Sequence, residues 1–361
     1  MIESPSCNQS FRLNMQSTLN LENISDIVQL AIKEDIGKGD ITSEIFIPKD
    51  SKSEGIFIAN ENGTVAGLPV AKYVLSQIDK NLVFTSNVEE GSRVSKGTAI
   101  ANVKGSTQSI LSAERLVLNF LQRLSGIATL TSKFVEKVKG YKTQIMDTRK
   151  TIPGSRSLER YAVRVGGGTN HRMGLYDQIL VKDNHLKIIE SEKENGTMNS
   201  LVKKARERIG RKMLIEVEVD DLSHVRDVLN AGVDIIMFDN MEPSKISEAI
   251  KTVKEYEKVR DTAMDKAILT EASGDITLER SAAMCSADNV LPRFDALIFA
   301  FVSSECFLPL CAAAIRAFTS GRAMVAFILA IASGERFCLF ADIRHTPVHI
   351  LCGFRPIGKA I

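Results

Sequence analysis

Hydrophobic positions in the first hundred residues predict a compact unit of helices and strands. Apolar residues recur at helical spacing from Ile24 to Ile32, and Gly37-Lys38-Gly39-Asp40 then ends the helix. Residues 54–67 alternate around Asn62-Gly63, which predicts a β-hairpin because both positions tolerate positive φ. The stretch from Val83 to Val103 predicts further strands.

From Thr107 to Lys139 the apolar period is helical, with a break expected at Ser125-Gly126 that would make this segment the hinge between two domains. Beyond it, strands alternate with helices, which predicts a parallel sheet with right-handed crossovers. Charged residues end five predicted strands: Gln144–Asp147, Gln178–Lys182, Leu214–Val219, Asp234–Asp239 and Ile268–Glu271. This pattern is typical of an active site on the top face of a β/α barrel. A doubly wound sheet is the alternative, but the glycine-rich loop usual after its first strand does not follow Asp147.

The charge balance excludes two broad classes of partner. The chain has 361 residues, with 46 Lys and Arg against 44 Asp and Glu. Without a basic face, general binding to nucleic acid or to a membrane surface is not expected. The six cysteines form no C-x-x-C pair, which argues against a zinc site and a disulfide framework. The first twenty residues lack the apolar core of a secretory signal, so we expect a cytoplasmic protein.

The polar residues at the predicted strand ends and loops fall into two groups by charge. The cationic group is Arg149, Lys150, His171, Arg172 and Lys182, and the acidic group is Glu218, Asp239 and Glu271. Converging cations repel one another unless an anionic ligand compensates them, so the sequence predicts a multiply anionic substrate. Carboxylates at neighbouring strand ends suit Mg²⁺, and would also stabilise positive charge developing on a sugar carbon.

Each of these features also has a simpler interpretation. A single charge at a strand end is more often a solvated loop residue, and the run Gly166–Gly168 marks a mobile loop more often than a phosphate cradle. His185 and His224 lack partners at ligand spacing, which favours surface or capping roles. Lys182 could form a Schiff base if it were desolvated.

A glycine turn precedes a predicted helix at residues 271–277, and a helix N-terminus binds phosphate through its free N–H groups. Asp275 in this turn has two interpretations. It is either a simple N-cap or a charge that repels phosphate.

Six strings in this sequence are distinctive: EDIGKGDITSE at 34–44, AERLVLNFLQRLSGIAT at 113–129, DTRKTIPG at 147–154, YAVRVGGGTNHRMGLYDQILVKDNH at 161–185, EVEVD at 216–220 and FDN at 238–240. Together they resemble the quinolinate phosphoribosyltransferases, also called nicotinate-nucleotide pyrophosphorylases (carboxylating). The resemblance covers roughly residues 21–280 and is far more specific than a short motif.

The resemblance implies an α/β fold, with an N-terminal α/β sandwich domain followed by a TIM-like open barrel that is incomplete and seven-stranded. On this basis the domains are expected at residues 21–112 and 113–280, after an arm at 1–20. The family assembles as a homodimer with active sites at the subunit interface. It converts quinolinate and phosphoribosyl pyrophosphate, with Mg²⁺, into nicotinate mononucleotide, pyrophosphate and CO₂, a step of NAD biosynthesis.

The resemblance also assigns roles to individual residues. Lys150, Glu218 and Asp239 are the implied catalytic residues, and Glu218 and Asp239 would face the ribose hydroxyls and Mg²⁺, directly or through water. Arg115 would reach into the partner's site. The other implied substrate-binding residues are Arg149, Lys150, His171, Arg172, Lys182, Ser273 and Gly274.

Residues 281–361 depart from the family pattern. Five of the six cysteines lie there, Lys359 is its only lysine, and the loop resembling S-x-G-A-L-T-H that binds the ribosyl 5′-phosphate is not found. We expect an aberrant, frameshifted tail that leaves the barrel without its closing strands. A membrane anchor at Ala296–Ile315 ranks below this, because Glu305 and Pro309 interrupt the apolar stretch.

The sequence leaves three alternatives to a quinolinate phosphoribosyltransferase open. The first is a degenerate homologue that only dimerises or binds a dicarboxylate. The second is a Schiff-base lyase that uses Lys182. The third is a family member that accepts another pyridine or base.

Overall fold

The computed structural model describes residues 19–191, 197–210, 213–259, 267–274, 276–286, 297–300 and 350–356. These residues form two compact units. One unit comprises Leu21–Thr129, Lys150–Ser155 and the strand near the C-terminus, and the other comprises Leu130–Arg149 and the described residues from Arg156 to 300.

The first unit contains the helix predicted from Ile24 to Ile32 and two further helices that were not predicted. Helix α1 (Ser25–Asp35) follows a short 3₁₀ turn, and the chain then bends at Gly37 and Gly39, both of which have positive φ. Helix α2 (Ile41–Phe46) starts at the N-cap Asp40, whose carboxylate accepts the Ser43 N–H at 3.0 Å. Helix α3 is Leu68–Ile78.

An antiparallel sheet of four strands forms the other layer of this unit. Its strands are β1 (Lys52–Ala59), β3 (Val83–Ser86), β5 (Ala99–Ser106) and β12 (Ile350–Pro356), in the order β12-β1-β5-β3. Buried and less buried residues alternate along β1, so one face of this strand packs into the core.

The hairpin predicted at Asn62-Gly63 is wrong. Strand β2 (Gly63–Thr64) pairs with β4 (Arg93–Val94), and β1 pairs with β5 and β12 instead. Neither Asn62 nor Gly63 has the positive φ that a tight type I′ turn requires.

The break predicted at Ser125-Gly126 is also wrong, because helix α4 runs without interruption from Thr107 to Lys137. One glycine inside a helix costs about 1 kcal/mol. The buried side chains of Leu121, Leu124 and Ile127 flank Gly126 and outweigh this cost. The buried hydroxyl of Ser125 accepts the N–H of Ala66 at 3.0 Å, so it is satisfied by the chain packed beside it.

The second unit is a parallel sheet of six described strands with helices between them, as predicted. The strands are β6 (Gln144–Met146), β7 (Ile179–Val181), β8 (Ile215–Val219), β9 (Ile235–Asp239), β10 (Leu269–Ser273) and β11 (Leu297–Ala300). The helices are α5 (Arg156–Val165), α6 (Asp183–Ser191), α7 (Met198–Ile209), α8 (Val225–Asn230), α9 (Pro243–Val259) and α10 (Leu278–Ser286).

The expectation that the barrel lacks its closing strands is wrong for one strand, β11. The strand order of the sheet is β6-β11-β10-β9-β8-β7. Strand β11, which lies beyond residue 280, pairs in parallel with both β10 and β6. A single parallel bridge joins Met146 to Thr169 on the other side of β6. The resemblance implied seven strands, and the described residues supply six and this bridge.

No helix in the described part of the chain is long and apolar enough to cross a membrane. The proposed anchor Ala296–Ile315 lies outside the described residues except for β11, which is a strand. The frameshift hypothesis likewise concerns residues that are mostly outside the described ranges.

Candidate active site

The register of the parallel strands brings the predicted acidic residues to one face of the sheet. Met237 of β9 is in register with Glu218 of β8 on one side and with Glu271 of β10 on the other. Two residues further along the same strands, Asp239 is in register with Ser273. Residues in register on parallel strands point to the same side. Since Glu216 and Glu218 are two positions apart, both point to this side as well.

A buried carboxylate, Asp147, anchors the loop that carries His171 and Arg172. Its oxygens accept the side-chain amide of Asn170 at 2.6 Å and the backbone N–H of His171 at 2.8 Å. Arg160 forms an ion pair with it at 3.4 Å. Burial raises the pKa of Asp147 to about 6. The charge of Arg160 and the hydrogen bonds from the His171 N–H and the Asn170 amide lower this pKa and oppose a larger rise. The carboxylate is therefore ionised at neutral pH.

Three arginines on one face of α5 hold the same loop, and sequence reasoning missed all three. Arg156 donates to the carbonyl of Met173 at 2.9 Å, and Arg160 donates to the carbonyl of His171 at 2.7 Å. Arg164 donates to the side-chain oxygen of Asn170. Their spacing of four residues is the signal that could have identified them, because it places all three on one side of a helix.

Arg149 and Arg172, both predicted to bind substrate, lie near each other. Arg172 is 7% exposed and donates to the carbonyl of Gln178 at 2.9 Å. Burial lowers the pKa of Arg172, and the positive charge of Arg149 lowers it further. Within the described residues, the buried Nε atom of Arg149 has no hydrogen-bond partner. Glu216 and Asp177 supply negative charge near Arg172, and the unpartnered Nε of Arg149 leaves a donor available to an anion.

His171 is enclosed by two buried glutamates. Its Nε2 lies 3.1 Å from Glu216 and 3.5 Å from Glu271, and the backbone N–H of Arg172 donates to its Nδ1 at 2.6 Å. Burial lowers the pKa of His171, whereas the neighbouring Glu216 and Glu271 raise it above its usual range. Because Nδ1 accepts the Arg172 N–H, the ring in this arrangement carries its proton on Nε2, which faces Glu216. Both ring nitrogens therefore face protein groups, and the role in carboxylate binding implied for His171 stays a prediction.

Glu216 was not singled out from the sequence, although it is fully buried and accepts from Gln178 at 2.7 Å. Burial and the charge of Glu216 raise the pKa of Glu271 to about 8, so Glu271 holds a proton at neutral pH. Donor atoms of His171, Glu216 and Glu271 lie within 4.8 Å of one another. This spacing could hold a metal ion, and the contact that the structure shows within the cluster is the hydrogen bond between Nε2 of His171 and Glu216.

Lys182 and Glu218 form an ion pair of 3.2 Å at the ends of β7 and β8. Burial raises the pKa of Glu218, and the ion pair with Lys182 lowers it. The negative charge of Asp239 raises this pKa too, so the two predicted Mg²⁺ ligands interact electrostatically. The Lys182 side chain is 47% exposed. A Schiff-base lysine needs a desolvated, neutral amine, so exposure and the ion pair count against the lyase hypothesis.

The remaining predicted residues are distributed over both units. Ser273 ends β10 and is followed by Gly274, whereas Asp275 lies outside the described residues. Lys150 and Arg115 belong to the first unit, and both are exposed.

Two of the simpler interpretations agree with the structure. His185 accepts the Lys182 N–H at 2.9 Å through Nδ1, which is a capping role, and His224 is an exposed surface residue. The interpretation of Gly166–Gly168 as a mobile loop stays a prediction. The structure gives Gly168 a packing reason, since a Cβ there would lie 2.8 Å from Val163 and 2.9 Å from Thr131.

Two family models match adjoining parts of the chain. The N-terminal domain of quinolinate phosphoribosyl transferase matches residues 40–125, and its C-terminal domain matches residues 127–292, twelve residues beyond the limit that the motifs gave. The two matches meet at Gly126, inside the continuous helix α4.

Individual relatives cover most of the chain. A probable nicotinate-nucleotide pyrophosphorylase (carboxylating) of Bacillus subtilis is 42% identical over 246 residues, which are 68% of this chain and 79% of that protein. A quinolinate phosphoribosyltransferase (decarboxylating) of Nicotiana tabacum is 38% identical over 273 residues, covering 71% of this chain and 73% of that protein. The solved nicotinate-nucleotide pyrophosphorylase of Francisella tularensis is 32% identical with a TM-score of 0.69, over 80% of this chain and 94% of that one. The chain therefore belongs to the quinolinate phosphoribosyltransferase family.

Proposed function

We propose that the protein transfers a phosphoribosyl group from phosphoribosyl pyrophosphate to quinolinate and releases pyrophosphate and CO₂, giving nicotinate mononucleotide. One observation carries the proposal in this chain. Arg149 follows β6 and lies near Arg172, Arg172 is buried, and among the described residues the Nε of Arg149 has no hydrogen-bond partner. A planar dicarboxylate supplies the two negative charges that such a pair requires.

In this proposal the arginines bind and orient quinolinate so that its ring nitrogen faces C1 of the ribose. The nitrogen forms a bond to that carbon as the bond to pyrophosphate breaks. The pyridine nitrogen then carries a positive charge. The ring accepts the electron pair released when the adjacent carboxylate leaves as CO₂, and a solvent proton completes the product.

Glu218 and Asp239 are proposed to face the ribose and to stabilise positive charge developing at C1. Their oxygens are hard donors of the type that Mg²⁺ prefers, and Glu218 is only partly neutralised by the exposed Lys182, so the pair fits the ion. When bound, Mg²⁺ would compensate the charge of the pyrophosphate. We extend the proposal to a homodimer in which Arg115 acts in the partner's site.

The experiment that tests the proposed function is an assay of the full chain with phosphoribosyl pyrophosphate, Mg²⁺ and quinolinate labelled at the 2-carboxylate. We expect pyrophosphate and labelled CO₂ in equal amounts. Replacing Arg149 by Ala should raise KM for quinolinate at least tenfold, since it removes a charge-assisted contact. The matched control is Arg226→Ala, because Arg226 is an exposed arginine on α8.

Three other results have defined meanings. Quinolinate binding without turnover, measured by calorimetry, would replace the proposal with the degenerate homologue. Pyrophosphate release with another pyridine but not with quinolinate would indicate the third alternative. If borohydride trapped a carbonyl compound on Lys182, the lyase hypothesis would be preferred despite the ion pair.

A further inference from the structure

Asn240, directly after β9, has an unusual backbone conformation. Its φ is 53°, and among the residues that the structure describes it is the one non-glycine residue with positive φ. Side chains disfavour this left-handed region, although Asn tolerates it better than most residues. Such conformations persist where the surroundings impose them, and they concentrate at functional sites.

The contacts of Asn240 connect two residues predicted to bind substrate. Its side-chain amide donates to Oδ2 of Asp239 at 2.7 Å. Its backbone N–H donates to the carbonyl of Ser273 at 2.9 Å. One residue therefore contacts a carboxylate at the end of β9 and the backbone at the end of β10.

Gly274 leaves the space that the Asn240 amide occupies. A Cβ at Gly274 would lie 2.0 Å from Oδ1 of Asn240 and 3.0 Å from its backbone nitrogen. Gly274 also has a φ of 81°, so both space and conformation require glycine here. The side chain of the exposed Asn240 thus lies between Asp239, to which its amide donates, and Gly274, where the missing Cβ leaves room for it.

We propose that Asn240 is a positioning residue, whose amide fixes the Asp239 carboxylate while its left-handed backbone fixes the carboxylate's place relative to Ser273 and Gly274. The proposal rests on the proposed function, in which Asp239 faces the ribose. The amide occupies Oδ2 and leaves Oδ1 to face the ligand. A freely rotating carboxylate would present this oxygen for only part of the time, and losing such an outer contact typically lowers activity or metal affinity about 10–100-fold.

Two substitutions separate the amide from the backbone. Asn240→Gly keeps the left-handed conformation and removes the amide, whereas Asn240→Ala removes the amide and disfavours the conformation. We expect Asn240→Gly to keep the melting temperature of the wild type and to lower kcat about tenfold. KM for quinolinate should not change, because quinolinate is held by the arginines. Asn240→Ala should have a lower kcat and a lower melting temperature than the wild type.

Crystal structures of the wild type and of Asn240→Gly give a readout that does not depend on turnover. We expect Asp239 to hold one side-chain conformer in the wild type and to leave it in the variant. An unchanged kcat in Asn240→Gly, or an unchanged Asp239 conformer, would overturn the proposal. If the wild type has no activity, the proposed function fails, but the comparison of Asp239 conformers still decides the role of Asn240.

Discussion

Arg160 of α5 donates to the backbone carbonyl of His171 at 2.7 Å, while the same guanidinium pairs with the buried carboxylate of Asp147 at 3.4 Å. A helix thereby fixes the backbone of the loop that carries two of the predicted substrate-binding residues. The carboxylate is 1% exposed and the arginine 13% exposed, so solvent compensates little if either partner is lost. Arg160 and Asp147 therefore hold the predicted site in place before a substrate binds, and neither residue needs to touch the substrate.

Replacing Arg160 by Met is expected to lower the free energy of unfolding by about 3 kcal/mol, because it removes the ion-pair partner of the buried Asp147 carboxylate. KM for quinolinate should rise as well, since the loop loses the hydrogen bond that Arg160 donates to the carbonyl of His171. Urea denaturation measures the first effect. Arg208→Met is the control, since Arg208 is an exposed arginine on α7 and should change stability by less than about 0.5 kcal/mol. Equal losses in the two variants would contradict the role given to Arg160.

The raised pKa of Glu271 predicts that the stability of the protein decreases as the pH rises from about 4.5 to about 8. Its pKa is raised from 4.5 to about 8 in the folded protein, so the folded state binds more protons than the unfolded state between these values. The contribution of this group is fully present below pH 4.5 and is lost as the pH rises through 8. Glu271→Gln mimics the protonated carboxyl, so its melting temperature should fall less steeply between pH 5 and 8 than that of the wild type.

Melting curves at intervals across this range test the prediction. The variant Glu89→Gln controls for loss of an exposed carboxylate and should keep the wild-type slope. Parallel curves for wild type and Glu271→Gln would mean that Glu271 is not protonated in the folded protein.

Gly168 is expected to tolerate no side chain. A Cβ there would lie 2.8 Å from Val163, 2.9 Å from Thr131 and 3.1 Å from the carbonyl of Ile145. Gly168→Ala should therefore destabilise the protein by about 1–3 kcal/mol through overpacking. Adding Val163→Ala should recover part of this loss by removing the nearest methyl group. If the double variant is as unstable as the sum of the two single variants, the clash with Val163 is not the cause.

The strands and their charged ends were predictable because each strand is a short apolar run followed by a polar residue, and this pattern does not depend on distant contacts. The turn at Asn62-Gly63 and the break at Gly126 were predicted wrongly because local propensity was outweighed by packing. At Gly126, buried neighbours such as Leu124 and Ile127 keep the helix continuous. Propensity alone cannot include such contacts.

The candidate site was predictable only in part, for a related reason. The residues predicted to face a substrate are charged groups at strand ends, and the sequence pattern identifies such positions. Glu216 escapes notice because it is one of two glutamates in EVEVD, and only the fold shows that it is buried against His171. The left-handed backbone of Asn240 has no sequence signal apart from the identity of the residue.

The predicted role of Arg115 in the partner's site can be tested by mixing two variants that are each expected to turn over little at a quinolinate concentration below the wild-type KM. Arg115→Ala lacks the donated arginine, and Arg149→Ala lacks a residue of the receiving site. If each site takes Arg115 from the partner, a mixed dimer holds one intact site, and equal mixing should restore about a quarter of the wild-type activity. The subunits are mixed after mild dissociation, and turnover is compared with that of each variant alone. Activity that stays at the level of the single variants would mean that Arg115 serves the site of its own subunit, or none.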